Sequence, residues 1–96
     1  MFETFDVNEV KLTGKVVSTS AGTDDKGRPF LNMYIGSQGK KYSELLHVSF
    51  FGDYSEKVKS EVHDGDRVFV SAKLIGKKVV DEVRIKLVGN FYLKLA

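Results

Sequence analysis

The stretch HVSFFGDY, His47 to Tyr54, sets two phenylalanines side by side where a strand-like run meets a helix-like one. Successive side chains of an extended chain point to opposite faces, so Phe50 and Phe51 cannot share an environment. Phe50 has the parity of Leu46 and Val48, both suited to a core. Phe51 has the parity of Leu45, His47 and Ser49, a mixed set that a core would reject. The expectation is Phe50 inside and Phe51 on the other face, either as a stacking platform for a flat ligand or packed under a loop or a second subunit.

Working forward from Phe51, Asp53 and Glu56 have the spacing of a capping box, and Tyr54, Val58 and Val62 recur on one helical stripe. This predicts a helix over residues 53 to 63 that stops near HDGD, where Gly65 is a natural terminator. Working backward, FLNMYIG places Leu31, Met33 and Ile35 on one face and Phe30, Asn32 and Tyr34 on the other. EVKLTGKVVSTS alternates Val10, Leu12 and Gly14 against Lys11, Thr13 and Lys15, and Gly14 suggests a bend. AGTDDKGRP reads as a turn or hairpin arm, mobile over residues 21 to 27, and SQGKKYS as a second connection. Beyond the helix, RVFVSAKLI and VVDEVRIKLV read as strands joined by GKK. Val68, Val70, Ala72 and Leu74 face inward in the first; Val83, Ile85 and Leu87 face inward in the second, with Arg84 and Lys86 outside. NFYLKLA extends that last strand.

Three strands, a helix and two strands is an order most often owned by the OB-fold, a five-stranded Greek-key barrel with its helix between strands 3 and 4. The fold class expected is therefore all-β with one helix. At 96 residues, 42% apolar and 29% charged, the chain suits one such domain over residues 1 to 96 and is too apolar for a disordered segment. It has no cysteine, which excludes disulfides and thiolate metal sites. MFETFDV lacks the features of a secretory signal and no run approaches transmembrane length, so a cytoplasmic location is expected.

Four blocks, NEVKLTGKVV, GRPFLNMYIG, ELLHVSFFGDYSEKV and DGDRVFVSAKL, resemble successive segments of the bacterial and phage single-stranded DNA-binding protein family, a likeness that spans residues 8 to 88. The resemblance implies a homo-oligomer, dimer or tetramer, that coats single strands in replication, recombination or repair, in a bacterial cell or a phage-infected host. It also implies that Phe51 is the base-contacting aromatic that precedes the family's helix. Two features depart from the pattern. The chain has no tryptophan, and Leu45 stands where cellular members often carry one. Ala96 follows directly on an apolar strand, without the long acid-tipped tail through which cellular members recruit other proteins. A compact phage or plasmid version, a shortened chain, or a tail-less primosomal relative of the same fold would each fit.

The net charge of +2 is weak evidence for nucleic acid, so placement matters more than the sum. Acidic residues gather in turns and on the helix: Asp24, Asp25, Asp53, Glu56, Glu61, Asp64 and Asp66. Basic ones recur on the non-core parity of strands: Lys11, Lys15, Arg28, Lys73, Arg84 and Lys86. Phe30, Tyr34, His47 and Phe51 fall on that same outer parity. Together they suit a groove that tracks phosphates and stacks bases, although any one lysine also serves solubility and edge protection. Lys40, Lys41 and Tyr42, and separately Lys77 and Lys78, are placed in connections that would reach a strand laid across the barrel. Phe2, Phe5, Phe91 and Leu93 crowd the termini with apolar surface that a small monomer would struggle to bury, which also points to a homo-oligomer.

A catalytic reading fares poorly. His47, Ser49 and Asp53 do not form a triad by proximity along a strand, and there is no nucleophile elbow. Asp24 with Asp25, and Asp64 with Asp66, lack calcium-loop spacing, and GTDDKG lacks the ending of a phosphate loop. No metal and no cofactor is implied. Two functions remain, a single-stranded DNA binder and a protein-interaction adaptor of a primosome or replisome.

Overall fold

A computed structural model describes residues 6–39 and 43–96. Its elements are β1 (Val10–Thr23), β2 (Pro29–Gln38), β3 (Ser43–Phe51), α1 (Asp53–Glu61), β4 (Arg67–Val79) and β5 (Glu82–Lys94). The strands close a barrel in the order β1-β2-β3-β5-β4, with the helix between β3 and β4. Closure depends on β1 serving two neighbours. Val10 to Lys15 pair with β4, and Lys15 to Thr23 pair with β2 across an irregularity between Val16 and Ser18. The bend expected at Gly14 falls where the strand changes partners. A Cβ there would come within 2.6 Å of Ile35 Cγ2 and closer still to the Gly36 carbonyl, so only glycine allows the two strands to approach. A short parallel pairing, Val48 with Leu87 and Ser49 with Val88, seals the barrel.

Alternation in β1 to β3 is borne out. Val16, Leu31, Met33, Ile35, Val48 and Phe50 are buried together with Val68, Val70 and Ala72 of β4, and Phe51 lies on the opposite face. Phe50 packs on Gly89 of β5, where an added Cβ would lie 2.7 Å from its Cδ1. Beside it the Tyr54 ring sits 5.9 Å away, and the Tyr54 hydroxyl accepts a 2.8 Å hydrogen bond from the Tyr92 backbone N–H. Val58 and Val62 complete the core from the helix side, which is the stripe that the sequence predicts.

The helix ends differ from expectation. Asp53 is not the cap. Gly52 occupies that position at φ 70°, a left-handed value that suits glycine, and no side chain caps the helix. The Gly52 N–H donates to the Pro29 carbonyl at 2.9 Å, and the Ser55 hydroxyl donates to the Gly52 carbonyl at 2.6 Å. Asp53 and Glu56 instead lie in the first turn, where their charge complements the helix dipole. The helix stops at Glu61, with Val62 extended, because Val62 is drawn into the core as the chain turns back toward β4. Gly65, at φ 93°, shapes that later turn, in which Asp66 Oδ2 accepts from the His63 N–H at 2.8 Å. That N–H is the main reason the Asp66 carboxyl is held below its ordinary pKa, with Lys94 at 3.3 Å adding to it.

The largest correction concerns the last two strands. GKK does not join them: Gly76, Lys77 and Lys78 continue β4, pairing with Ile85, Arg84 and Val83, and the chain reverses at Val80 and Asp81. The pair forms an arm longer than the barrel is deep. Leu74, Val83 and Ile85 keep the expected parity but are 42%, 65% and 64% exposed, because among the described residues no element covers the arm on that side. Val80 takes φ 57°, unusual for a β-branched residue, at the turn position where glycine is favoured. Asn8 anchors the base of the arm, accepting from the Leu74 N–H at 2.9 Å and donating to the Leu74 carbonyl at 2.7 Å.

Candidate nucleic-acid interface

Because β2 and β3 pair in register, their outward residues form rows across the barrel. Phe30 lies opposite Phe51, Asn32 opposite Ser49, and Tyr34 opposite His47. Tyr34 and His47 stack, with ring centroids 4.8 Å apart and planes 14° from parallel. Phe51 is 37% exposed and Phe30 is half-buried, its ring lying close over Gly22 of β1. Two aromatic pairs thus flank one polar pair. Ser49 is buried although it belongs to the outer face, and its hydroxyl donates to Asn32 Oδ1 at 2.8 Å and lies 3.4 Å from His47 Nε2.

The arm brings positive charge to these rings. Lys86 and Arg84 of β5 share the outward parity of Val88, Ser49's neighbour, and on β4 Lys73 pairs with Val88 and Lys77 with Arg84. The Lys86 ammonium sits 5.0 Å from the centre of the Phe51 ring, in cation–π range. A cleft of about 820 Å³ runs along this edge, lined by His47, Ile75, Lys77, Val79, Arg84, Ile85 and Lys86. Arg84 also pairs with Glu82 at 3.0 Å, but both side chains are exposed, so the pair is weak and easily exchanged for another anion.

The other residues singled out from sequence are placed less uniformly. Lys15 stands one row beyond Tyr34, beside Gly36, at the border of the platform. Lys11 lies farther round the barrel opposite Ser71 and pairs with Glu9 at 3.4 Å. Arg28 is in the β1–β2 turn, where Asp24 holds it at 2.9 Å. The backbone N–H of Arg28, with its side chain, keeps the Asp24 carboxyl below the ordinary range. Lys78 is in β4 and not in a connection, on the parity of Leu74 opposite Lys77. Lys40, Lys41 and Tyr42 lie outside the described residues, as do Phe2 and Phe5. Sequence reasoning missed Asn32, Ser49, Ile75 and Val88. The parity that selects Phe30 and Tyr34 also selects Asn32 between them, so that one was open to detection. Ile75 and Val88 depend on the arm's register and were not.

A closed five-stranded barrel with its helix between β3 and β4 is an OB-fold. The chain is similar to the yeast (S. cerevisiae) mitochondrial single-stranded DNA-binding protein Rim1, with a TM-score of 0.80, 18% identity, and 95% of this chain covering 96% of that one. A second crystal form of the same protein matches with a TM-score of 0.79 and 20% identity over 94% of this chain and 97% of that one. The SSB domain of a Synechococcus protein matches with a TM-score of 0.74 and 16% identity, over 94% and 98% of the two chains. At such identities the likeness is one of fold. No protein-family pattern and no curated protein matches the sequence. Among the described residues, no helix is long and apolar enough to cross a membrane.

Proposed function

We propose that this protein is a non-catalytic, sequence-tolerant binder of single-stranded DNA, one OB domain serving replication, recombination or repair in a bacterial cell or a phage-infected host. One observation carries the reading. Two cross-strand aromatic pairs lie open on the face of β2 and β3, with a column of cations from the arm beside them. Phe51, Phe30, Tyr34 and His47 offer flat surfaces to unpaired bases, which stack regardless of identity because every base has a π-face. Lys73, Lys77, Arg84 and Lys86, with Lys15 at the border, follow the phosphates. Lys40, Lys41 and Tyr42 would add two cations and a ring to that set, whereas Lys11, Arg28 and Lys78 contribute only to the general field.

Copies of the chain meet through a second surface. Phe69 and Phe91 pack edge to face at 6.4 Å, and Phe91 (47% exposed), Leu93 and Leu95 leave apolar surface open on the outer side of β4 and β5. An open patch of this kind suits a homo-oligomeric contact.

The test is a titration of intrinsic tyrosine fluorescence with oligo-dT, duplex DNA and RNA at two salt concentrations. The expected result is preferential binding to the single strand, with log affinity falling by about 0.7 per neutralised phosphate as log salt rises. Absence of binding at low salt would favour the protein-adaptor function instead.

A further inference from the structure

We propose that Asn32 is a base-reading residue, a hydrogen-bond donor fixed between the two aromatic pairs that gives the platform a preference for pyrimidines with a carbonyl at position 4, thymine and uracil, over cytosine, which carries an amino group there. The inference rests on the single-strand function above and adds selectivity at that same face.

Asn32 occupies the middle of β2's outer face, two residues from Phe30 and two from Tyr34. Strand geometry puts it ~7 Å from each, so a base laid over either ring pair brings an edge to the amide. Its orientation is held from beneath. Ser49 is buried, and its single hydroxyl proton goes to Asn32 Oδ1 at 2.8 Å, while its oxygen faces His47 Nε2 at 3.4 Å. A hydroxyl donates only once, so donation to Asn32 leaves Ser49 Oγ to accept from Nε2–H of His47. The relay therefore runs from His47 through Ser49 to the Asn32 carbonyl and leaves Nδ2, with its two protons, facing the ligand. Among the described residues no acceptor engages Nδ2. No buried side-chain nitrogen or oxygen among the described residues lacks a partner, so Nδ2 is open to solvent and a ligand acceptor can replace water there.

A donor at this position is satisfied by the O4 carbonyl of thymine or uracil and opposed by the N4 amino group of cytosine, which is itself a donor. One such hydrogen bond corresponds to a preference of about fivefold, or ~1 kcal/mol. This is small beside the stacking and phosphate contributions, so binding stays tolerant of sequence.

The experiment compares oligo-dT, oligo-dU and oligo-dC of equal length at mildly alkaline pH, where oligo-dC is unprotonated, against the wild-type chain, Asn32→Asp and Asn32→Ala. Strand flexibility alone can favour one homopolymer, so the quantity read is the change in the dT-to-dC affinity ratio between proteins. Asn32→Asp replaces donors by acceptors in the same shape and is expected to lower the ratio at least fivefold. Asn32→Ala should lower it to an intermediate value, and oligo-dU should follow oligo-dT because the atom read is O4 and not the thymine methyl. Ser49→Ala, which frees the amide to rotate, should weaken the discrimination. A ratio in Asn32→Asp within twofold of wild type, with thermal melting unchanged, would overturn the proposal while leaving single-strand binding intact. Oligo-dU behaving like oligo-dC would also overturn it. Failure of the wild-type chain to bind any single strand would refute the single-strand function itself, and this selectivity with it.

Discussion

The body of the barrel and the β4–β5 arm carry the same alternation of apolar and polar residues, yet the pattern has opposite consequences in the two places. Val68, Val70 and Ala72 are fully buried, whereas Leu74, Val83 and Ile85, on the same parity along the same two strands, are 42–65% exposed. Alternation reports which face a side chain occupies. Whether another element covers that face is decided by topology, and the arm has outgrown the barrel that would cover it. The same length carries Lys77, Arg84 and Lys86 out beside the aromatic rows, where the proposed function uses them.

Substitutions can break or sharpen this contrast. The largest effect belongs to the body. Phe50→Ala should cost on the order of 3–5 kcal/mol of folding stability in denaturant melts, as expected for deleting a buried aromatic. Next comes an identical change made in both regions. Val70→Thr would bury a hydroxyl in the core and should cost ~1–3 kcal/mol, while Val83→Thr on the arm should stay within about 0.5 kcal/mol. Equal losses in the two would mean that the arm's apolar side is covered after all. At the arm's tip, Val80→Gly should raise stability by about 1 kcal/mol, because it relieves a left-handed β-branched residue. No change in the melting temperature would count against strain there.

Acid sensitivity is carried by two turns of the body. Asp24 and Asp66 both have pKa values lowered in the folded chain by backbone N–H donors, from Arg28 and His63 respectively. The stability that they contribute is complete at neutral pH and remains so down to the ordinary carboxylate pKa of about 4. It is lost as pH falls further, through their lowered native values. Asp66→Asn should therefore flatten the acid limb of a pH-dependent melt of the body, and an unchanged limb would show that the Asp66 turn does not contribute.

Much of the barrel was legible because its signals are local. The parity of Leu31, Met33 and Ile35, of Val48 and Phe50, and the Tyr54, Val58, Val62 stripe each follow from spacing alone, and they survive intact in the structure. The failures are non-local. That Gly76 to Lys78 continue a strand depends on cross-strand pairing with Val83 to Ile85, and that Gly52 replaces Asp53 as the cap depends on the Pro29 carbonyl, a strand away. At the candidate interface, parity correctly put Lys11 and Lys15 on the outside but could not tell which side of a closed barrel they occupy. Ser49 shows the same limit. Its parity is outward, and it is nonetheless buried, because Asn32 and Val88 flank it on either side.

The central claim is that Phe51 stacks on bases while Phe50 holds the fold, and titrating labelled oligo-dT into the wild-type chain and Phe51→Ala at two salt concentrations tests it most directly. The account predicts a variant that melts like wild type, binds about 1–3 kcal/mol more weakly, and keeps the same salt dependence, because the phosphate contacts are untouched. A Phe51→Ala chain that unfolds, or that binds oligo-dT as tightly as wild type, would contradict it.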